Sequence, residues 1–194
     1  MKPERFGRIL REVRAAGWGS DVDWAQNVTP PATADDFASE VVFVICNSGM
    51  RFSVARQIFD RVMLALREGK SALAAFGHKG KAGAINHIWA ERDELYLDWL
   101  IRGTVEQKLA FCESLPWIGP ITKYHLAKNF GIDVAKPDVH LQRLADYYST
   151  TPQKLCEDLA EATGLRVNTV DVVLWRACAI GIIDSRKLRP ARAA

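Results

Sequence analysis

Two short runs in this chain carry residue types that can do chemistry. One is Lys136-Pro137-Asp138-Val139-His140, which offers a single carboxylate directly after a proline. The other is Leu115-Pro116-Trp117-Ile118-Gly119-Pro120-Ile121-Thr122-Lys123-Tyr124. The longer run reads as a tight hairpin between two helices, with Gly119 and Pro120 opening the second helix straight out of the turn. The first N–H groups of a helix have no acceptor within it. They lie beside the positive end of the helix dipole and can hold a phosphate oxygen without a basic side chain. An ionised carboxylate, in turn, stabilises a transition state that develops positive charge beside it. Each run also has a plainer alternative. Proline-containing turns join helices, and Asp138 after Pro137 fits a helix N-cap.

Taken together, the helix, the L-P-x-I-G hairpin, a second helix, Phe130-Gly131 and then Pro-Asp-Val-His resemble the helix-hairpin-helix (HhH-GPD) DNA glycosylase superfamily. The resemblance is strongest from about Thr104 to Ala145. It implies that Trp117, Gly119, Ile121, Thr122 and Lys123 lie against double-stranded DNA. It also puts Asp138 at the family's essential aspartate, which stabilises charge on the sugar or helps to activate a nucleophile. Upstream, a buried apolar helix ends in a polar break, and the resemblance makes Asn47, Ser48 and Arg51 residues that enter the duplex when a base is extruded. As a plain helix end, the same break needs only Asn47 and Gly49 for the turn and Arg51 for the dipole. His140 takes a structural hydrogen-bonding role.

Two positions depart from the family pattern. Trp117 replaces the first glycine of the hairpin, where a positive φ would strain a tryptophan. Ile121 stands where bifunctional members carry the lysine that forms a Schiff base, and isoleucine is no nucleophile. Lys123 is rotated by about 200° along the helix from that position, and Lys136 lies two residues before Asp138. The implied function is therefore a DNA-binding enzyme that acts on an extruded base in the manner of a monofunctional glycosylase. A related branch, the thymine pyrophosphorylases and amino acid:DNA transferases of thymidine hypermodification, implies an alternative. That enzyme would couple a free amino acid or amine to phosphorylated 5-hydroxymethyluracil in DNA. A third reading is a DNA-binding module without catalysis.

A second phosphate candidate is Gly77-His78-Lys79-Gly80-Lys81-Ala82-Gly83, where His78, Lys79 and Lys81 precede a helix. It lacks the spacing of a P-loop, and a solvated loop explains it equally well. Lys128 joins Lys123 as a source of long-range attraction. Trp89, Trp99 and Trp175 sit at core-like helical spacings, and Asp171 reads as a solvated carboxylate on a helix face.

The elements that must position these residues are helices. Of the 194 residues, 48% are hydrophobic, enough for a substantial core. The net charge of +3 sets up no general basic field, so nucleic-acid binding would rest on a local patch. Cys46, Cys112, Cys156 and Cys178 lie far apart, which argues against zinc and four-cysteine clusters. No metal or cofactor is expected. With no apolar leader and no membrane-length run, the expectation is a monomer in the cytoplasm, bacterial or that of a phage's host.

Helix signals run throughout. Thr33, Thr104, Asp138 and Thr151 each precede a helical pattern as caps. Val41-Val42-Phe43-Val44-Ile45-Cys46 has strand-like composition but follows a cap without any partner strand, and so reads as a buried helix. A further helix runs from 79 to about 101. The expected class is all-α with nine or ten helices in two lobes around a cleft: 33–130 as the middle lobe with the hairpin, 1–28 with 138–183 as the second, and 184–194 as a basic tail.

Overall fold

The computed structural model describes residues 1–189, and among these every regular element is helical. Eleven α-helices follow in order: α1 Pro3–Val13, α2 Gly19–Asn27, α3 Ala34–Asn47, α4 Phe52–Arg67, α5 Lys79–Ala90, α6 Arg92–Leu100, α7 Val105–Ser114, α8 Thr122–Asn129, α9 Val139–Tyr147, α10 Pro152–Thr163 and α11 Val167–Ala179. Short 3-10 turns lie at Ala72–Ala74 and Ser185–Lys187. No helix among the described residues is long and apolar enough to cross a membrane. Of the basic tail, Pro190 to Ala194 lie outside the described residues.

The caps explain most helix starts. Thr33 Oγ1 accepts from Asp36 N at 3.1 Å. Thr104 and Gln107 form a reciprocal capping box, which satisfies two amides that the helix itself leaves open. Thr151 caps α10 with Pro152 in its first turn, and Gly164 closes that helix at φ 70°. The run Val41–Cys46 is helical, within α3.

Two helix boundaries are set by breaks in the backbone. Gly17 turns to φ 90° inside a π-helical segment at Arg14–Trp18. The chain then resumes as α2, which the sequence pattern hides because it carries only two buried residues, Val22 and Ala25. The single helix expected from 79 to 101 breaks at Glu91 into α5 and α6.

The chain forms two compact units. One spans Thr29–Gly131 and holds α3 to α8. Its core stacks Phe37 on Phe130 at 4.9 Å between ring centroids, with Trp99 4.7 Å from Phe130. Gly131 ends α8 at φ 76°, and a Cβ there would sit 3.0 Å from Pro30 N and the Thr29 carbonyl carbon. Backbone cannot yield as a flexible side chain does. Gly131→Ala is therefore expected to cost about 3 kcal/mol, from left-handed strain plus overpacking. Chemical denaturation of the pair of proteins measures it.

The other unit joins Met1–Val28 to the segment from Ile132 on. Phe6, Leu141, Leu144, Leu159, Val173 and Leu174 lie in its buried core. Arg176 lies between two aromatic rings there, 3.6 Å from the Trp18 centroid and 4.6 Å from that of Trp175, while pairing with Asp21. Asp171 is not a solvated face residue. It is 1% exposed on the inward side of α11, because the helix is covered on more of its circumference than its apolar pattern indicates. All four cysteines are buried, and none forms a disulfide with another. Burial pushes the thiols of Cys46, Cys112 and Cys178 up to about 11, 12 and 11, which keeps them protonated and unreactive at neutral pH.

Candidate functional site

In the unit spanning Thr29–Gly131, three separate stretches of sequence meet. The hairpin joins α7 to α8. Ile118 N donates to Leu115 O at 3.1 Å, and Lys123 N donates to Gly119 O at 2.9 Å. Helix α8 begins at Thr122, two residues later than Pro120, with Ile121 as its N-cap and no side-chain cap. The N–H groups of Gly119, Ile121 and Thr122 donate to no acceptor among the described residues.

Trp117 adopts φ 69°, so the hairpin keeps the left-handed turn even with tryptophan in the glycine's place. The ring explains how that conformation is held. It meets His78 edge-on at 5.2 Å and lies against Gly80. A Cβ on Gly80 would come within 2.8 Å of the indole. Trp117 and Ile121 nevertheless remain 44% exposed, so the hairpin presents apolar surface to solvent.

The same short stretch, His78 to Lys81, reaches the break after α3. Lys81 is only 4% exposed, and its Nζ donates to Ser48 O at 2.6 Å. Burial pulls its ammonium below the usual lysine range, opposed by the Cys46 thiol nearby. Lys81 therefore does not stand as a phosphate ligand on the surface. It neutralises the negative end of α3 and fixes the Asn47-Ser48-Gly49 turn. His78 caps α5, accepting from Lys81 N at Nδ1 over 3.3 Å. Of the glycine-spaced basic segment, Lys79 and the outer face of His78 remain exposed. Asn47 and Ser48 are half-buried, and Arg51 is exposed at the start of α4.

The two lysines of α8 are less available than their sequence suggests. Lys123 pairs with Glu113 at 2.5 Å, which raises the pKa of its ammonium. Lys128 is 7% exposed and points into the fold, so it is no source of surface attraction.

Asp138 lies in the other unit, at the N-cap of α9. Its Oδ1 accepts from His140 N at 2.9 Å and Leu141 N at 3.0 Å. Its Oδ2 has no protein donor among the described residues, and the side chain is half-buried. Both readings of this residue thus fit one geometry: one oxygen caps and the other is uncommitted. The ring of His140 shares a 2.8 Å hydrogen bond with Ser185, which is 2% exposed. This bond ties the Ser185–Lys187 turn to the first turn of α9. Nothing in its local sequence marks Ser185.

The all-α fold resembles that of a DNA glycosylase. The chain superposes on the crystal structure of the Methanocaldococcus jannaschii 8-oxoguanine glycosylase/lyase in complex with a 15-mer DNA containing 8-oxoguanine, with a TM-score of 0.64. The match covers 90% of this chain and 96% of that one at 15% sequence identity, a likeness of fold. The sequence matches no family model and no curated protein.

Proposed function

We propose that this protein is a DNA-binding enzyme that acts on an extruded base, with hydrolytic release of the base assisted by Asp138. The observation that carries the reading is the Asp138 carboxylate, with Oδ1 held by two backbone amides and Oδ2 uncommitted. Breaking a glycosidic bond leaves positive charge on the sugar, and a fixed anion stabilises it without reorganising. Its position on a glycosylase-like fold supports the same chemistry. Extrusion takes the base out of the stack, where such a group can reach the sugar.

The hairpin supplies the grip. Unpaired amides at Gly119, Ile121 and Thr122 suit phosphate oxygens. Trp117 beside His78 suits an aromatic or sugar face, with Lys79 and Arg51 as exposed cations. Ser48, held by Lys81, stands at the break that would follow the displaced strand. Ile121 leaves the hairpin without an amine nucleophile, so water attacks the sugar.

Incubation with duplexes carrying single damaged bases, then hot alkali, is expected to cut the strand at the abasic product. An intact strand across a broad base panel, with no free base released, overturns the reading. Binding is expected to weaken roughly 100-fold between about 50 and 200 mM salt, the slope for about four contacted phosphates. A flat salt dependence removes the phosphate grip.

A further inference from the structure

We infer that Ser185 is a positioning residue for Asp138: its buried hydroxyl fixes the His140 ring, and the fixed ring holds the first turn of α9 in the shape that leaves Asp138 Oδ2 uncommitted. This rests on the reading above, since the rate it would set is that of a reaction assisted by Asp138.

Both donors to Asp138 Oδ1 are backbone amides in the first turn of α9, His140 N at 2.9 Å and Leu141 N at 3.0 Å. The carboxylate is therefore held only as firmly as that turn, and helix ends fray. Of the first three residues of α9, Leu141 is buried in the core, whereas Val139 is exposed and anchors nothing. His140 is the remaining anchor, and its hold is the 2.8 Å bond between Nδ1 and Ser185 Oγ.

The far end of that bond is itself fixed. Ile183 is buried, and its N–H donates to Ala177 O of α11 at 3.0 Å. Asp184 then accepts from Arg186 N at its carboxylate over 3.2 Å, and from Lys187 N at its carbonyl over 3.1 Å, which closes the Ser185–Lys187 turn. A continuous set of bonds thus runs from α11 through Ser185 and His140 to the carboxylate.

The hydroxyl also decides which ring nitrogen carries the proton. Among the described residues, Ser185 Oγ bonds to His140 Nδ1 and to the Cys178 thiol. A buried O–H needs an acceptor. An imidazole nitrogen is a good one and a thiol sulfur a weak one. The O–H therefore donates to Nδ1, the thiol S–H donates to Oγ, and the neutral ring keeps its proton on Nε2.

Nitrogen NMR of the full chain at mildly alkaline pH reads the ring without any substrate. It is expected to show Nδ1 bare and Nε2 protonated in His140. Amide hydrogen exchange at His140 and Leu141 reads the hold on Oδ1. Ser185→Ala should mix the two ring tautomers and speed both amides about 3- to 10-fold, the weight of one hydrogen bond. His140→Leu removes the same bond from the other side and should speed the same two amides; it decides the matter should the alanine variant fail to fold. Base release is then followed on whichever duplex of the damaged-base panel the parent acts. Ser185→Ala should slow it about 10- to 100-fold at unchanged duplex affinity. The same change should slow Asp138→Asn by less than about twofold, because the carboxylate that it positions is already gone.

A parent ring protonated on Nδ1, unchanged exchange at both amides in the variants, a loss confined to duplex affinity, or equal slowing of the parent and Asp138→Asn overturns the role of Ser185. The expected tautomer and exchange in a protein that releases no base overturn the hydrolytic reading and leave the hold on Asp138 standing.

Discussion

Asp138→Asn is expected to lower base release by about 10²- to 10³-fold while leaving the melting temperature within a degree or two of the parent. Asparagine caps a helix about as well as aspartate. Its side-chain oxygen can accept from the same two amides, His140 N and Leu141 N, at 2.9 and 3.0 Å. What changes is the net charge and the oxygen at the Oδ2 position. If the residue is only a cap, the variant should behave as the parent. Asp138→Ala removes both features and should cost about 1 kcal/mol of stability as well as activity. The pair of variants therefore separates the two roles that the structure gives to one side chain. The rate should be followed under single-turnover conditions, so that product release does not mask the chemical step. An asparagine variant with full activity removes Asp138 from catalysis. One with lost activity and a collapsed melting temperature would mean that the cap, not the charge, is what the site requires.

The parts of the molecule legible in the sequence are those set by neighbours a few residues apart. Asp138 after Pro137, Thr104 with Gln107, and Thr151 with Pro152 all announce helix starts, because capping is local. The hairpin was legible for the same reason, down to its departure at Trp117. What sequence left hidden is set by contacts between distant segments. Lys81 sits in a glycine-spaced basic run and looks solvated. Its role depends on a carbonyl 33 positions away, at Ser48. Gly80 looks like a loop residue, whereas its missing side chain makes room for Trp117. By residue type Asp171 and Lys128 belong on the surface, where charge is usually solvated, and both are buried. In sequence Lys136 is only a neighbour of Asp138, and the fold half-buries it. Helix α2 escaped because a helix with two buried residues leaves little periodicity to read.

Trp117 carries the second large expected effect. Its conformation at φ 69° costs a non-glycine residue about 1–2 kcal/mol. Its edge contact with His78 returns about 0.5–1.5 kcal/mol. The half-covered ring adds a further burial gain that glycine, with its larger unfolded-state entropy, lacks. The strain and the ring contacts nearly cancel, so Trp117 adds little net stability to the hairpin. Trp117→Gly should therefore change the folding free energy by no more than about 1–2 kcal/mol in either direction. Its affinity for duplex DNA should fall by about tenfold, the effect of losing one aromatic stacking partner. Gly80→Ala tests the same ring from the other side. It improves helix propensity by about 1 kcal/mol at an exposed position of α5, yet its Cβ would meet the indole at 2.8 Å. The indole is rigid and its backbone is already strained, so the ring must turn out of its slot. Gly80→Ala is thus expected to bind DNA several-fold more weakly, with its stability held or improved. Titrations at one fixed salt concentration, paired with thermal unfolding, read both quantities. Parent-like affinity in both variants would assign Trp117 to the connection between α7 and α8, and leave the amides of Gly119, Ile121 and Thr122 as the whole of the hairpin's hold on a phosphate.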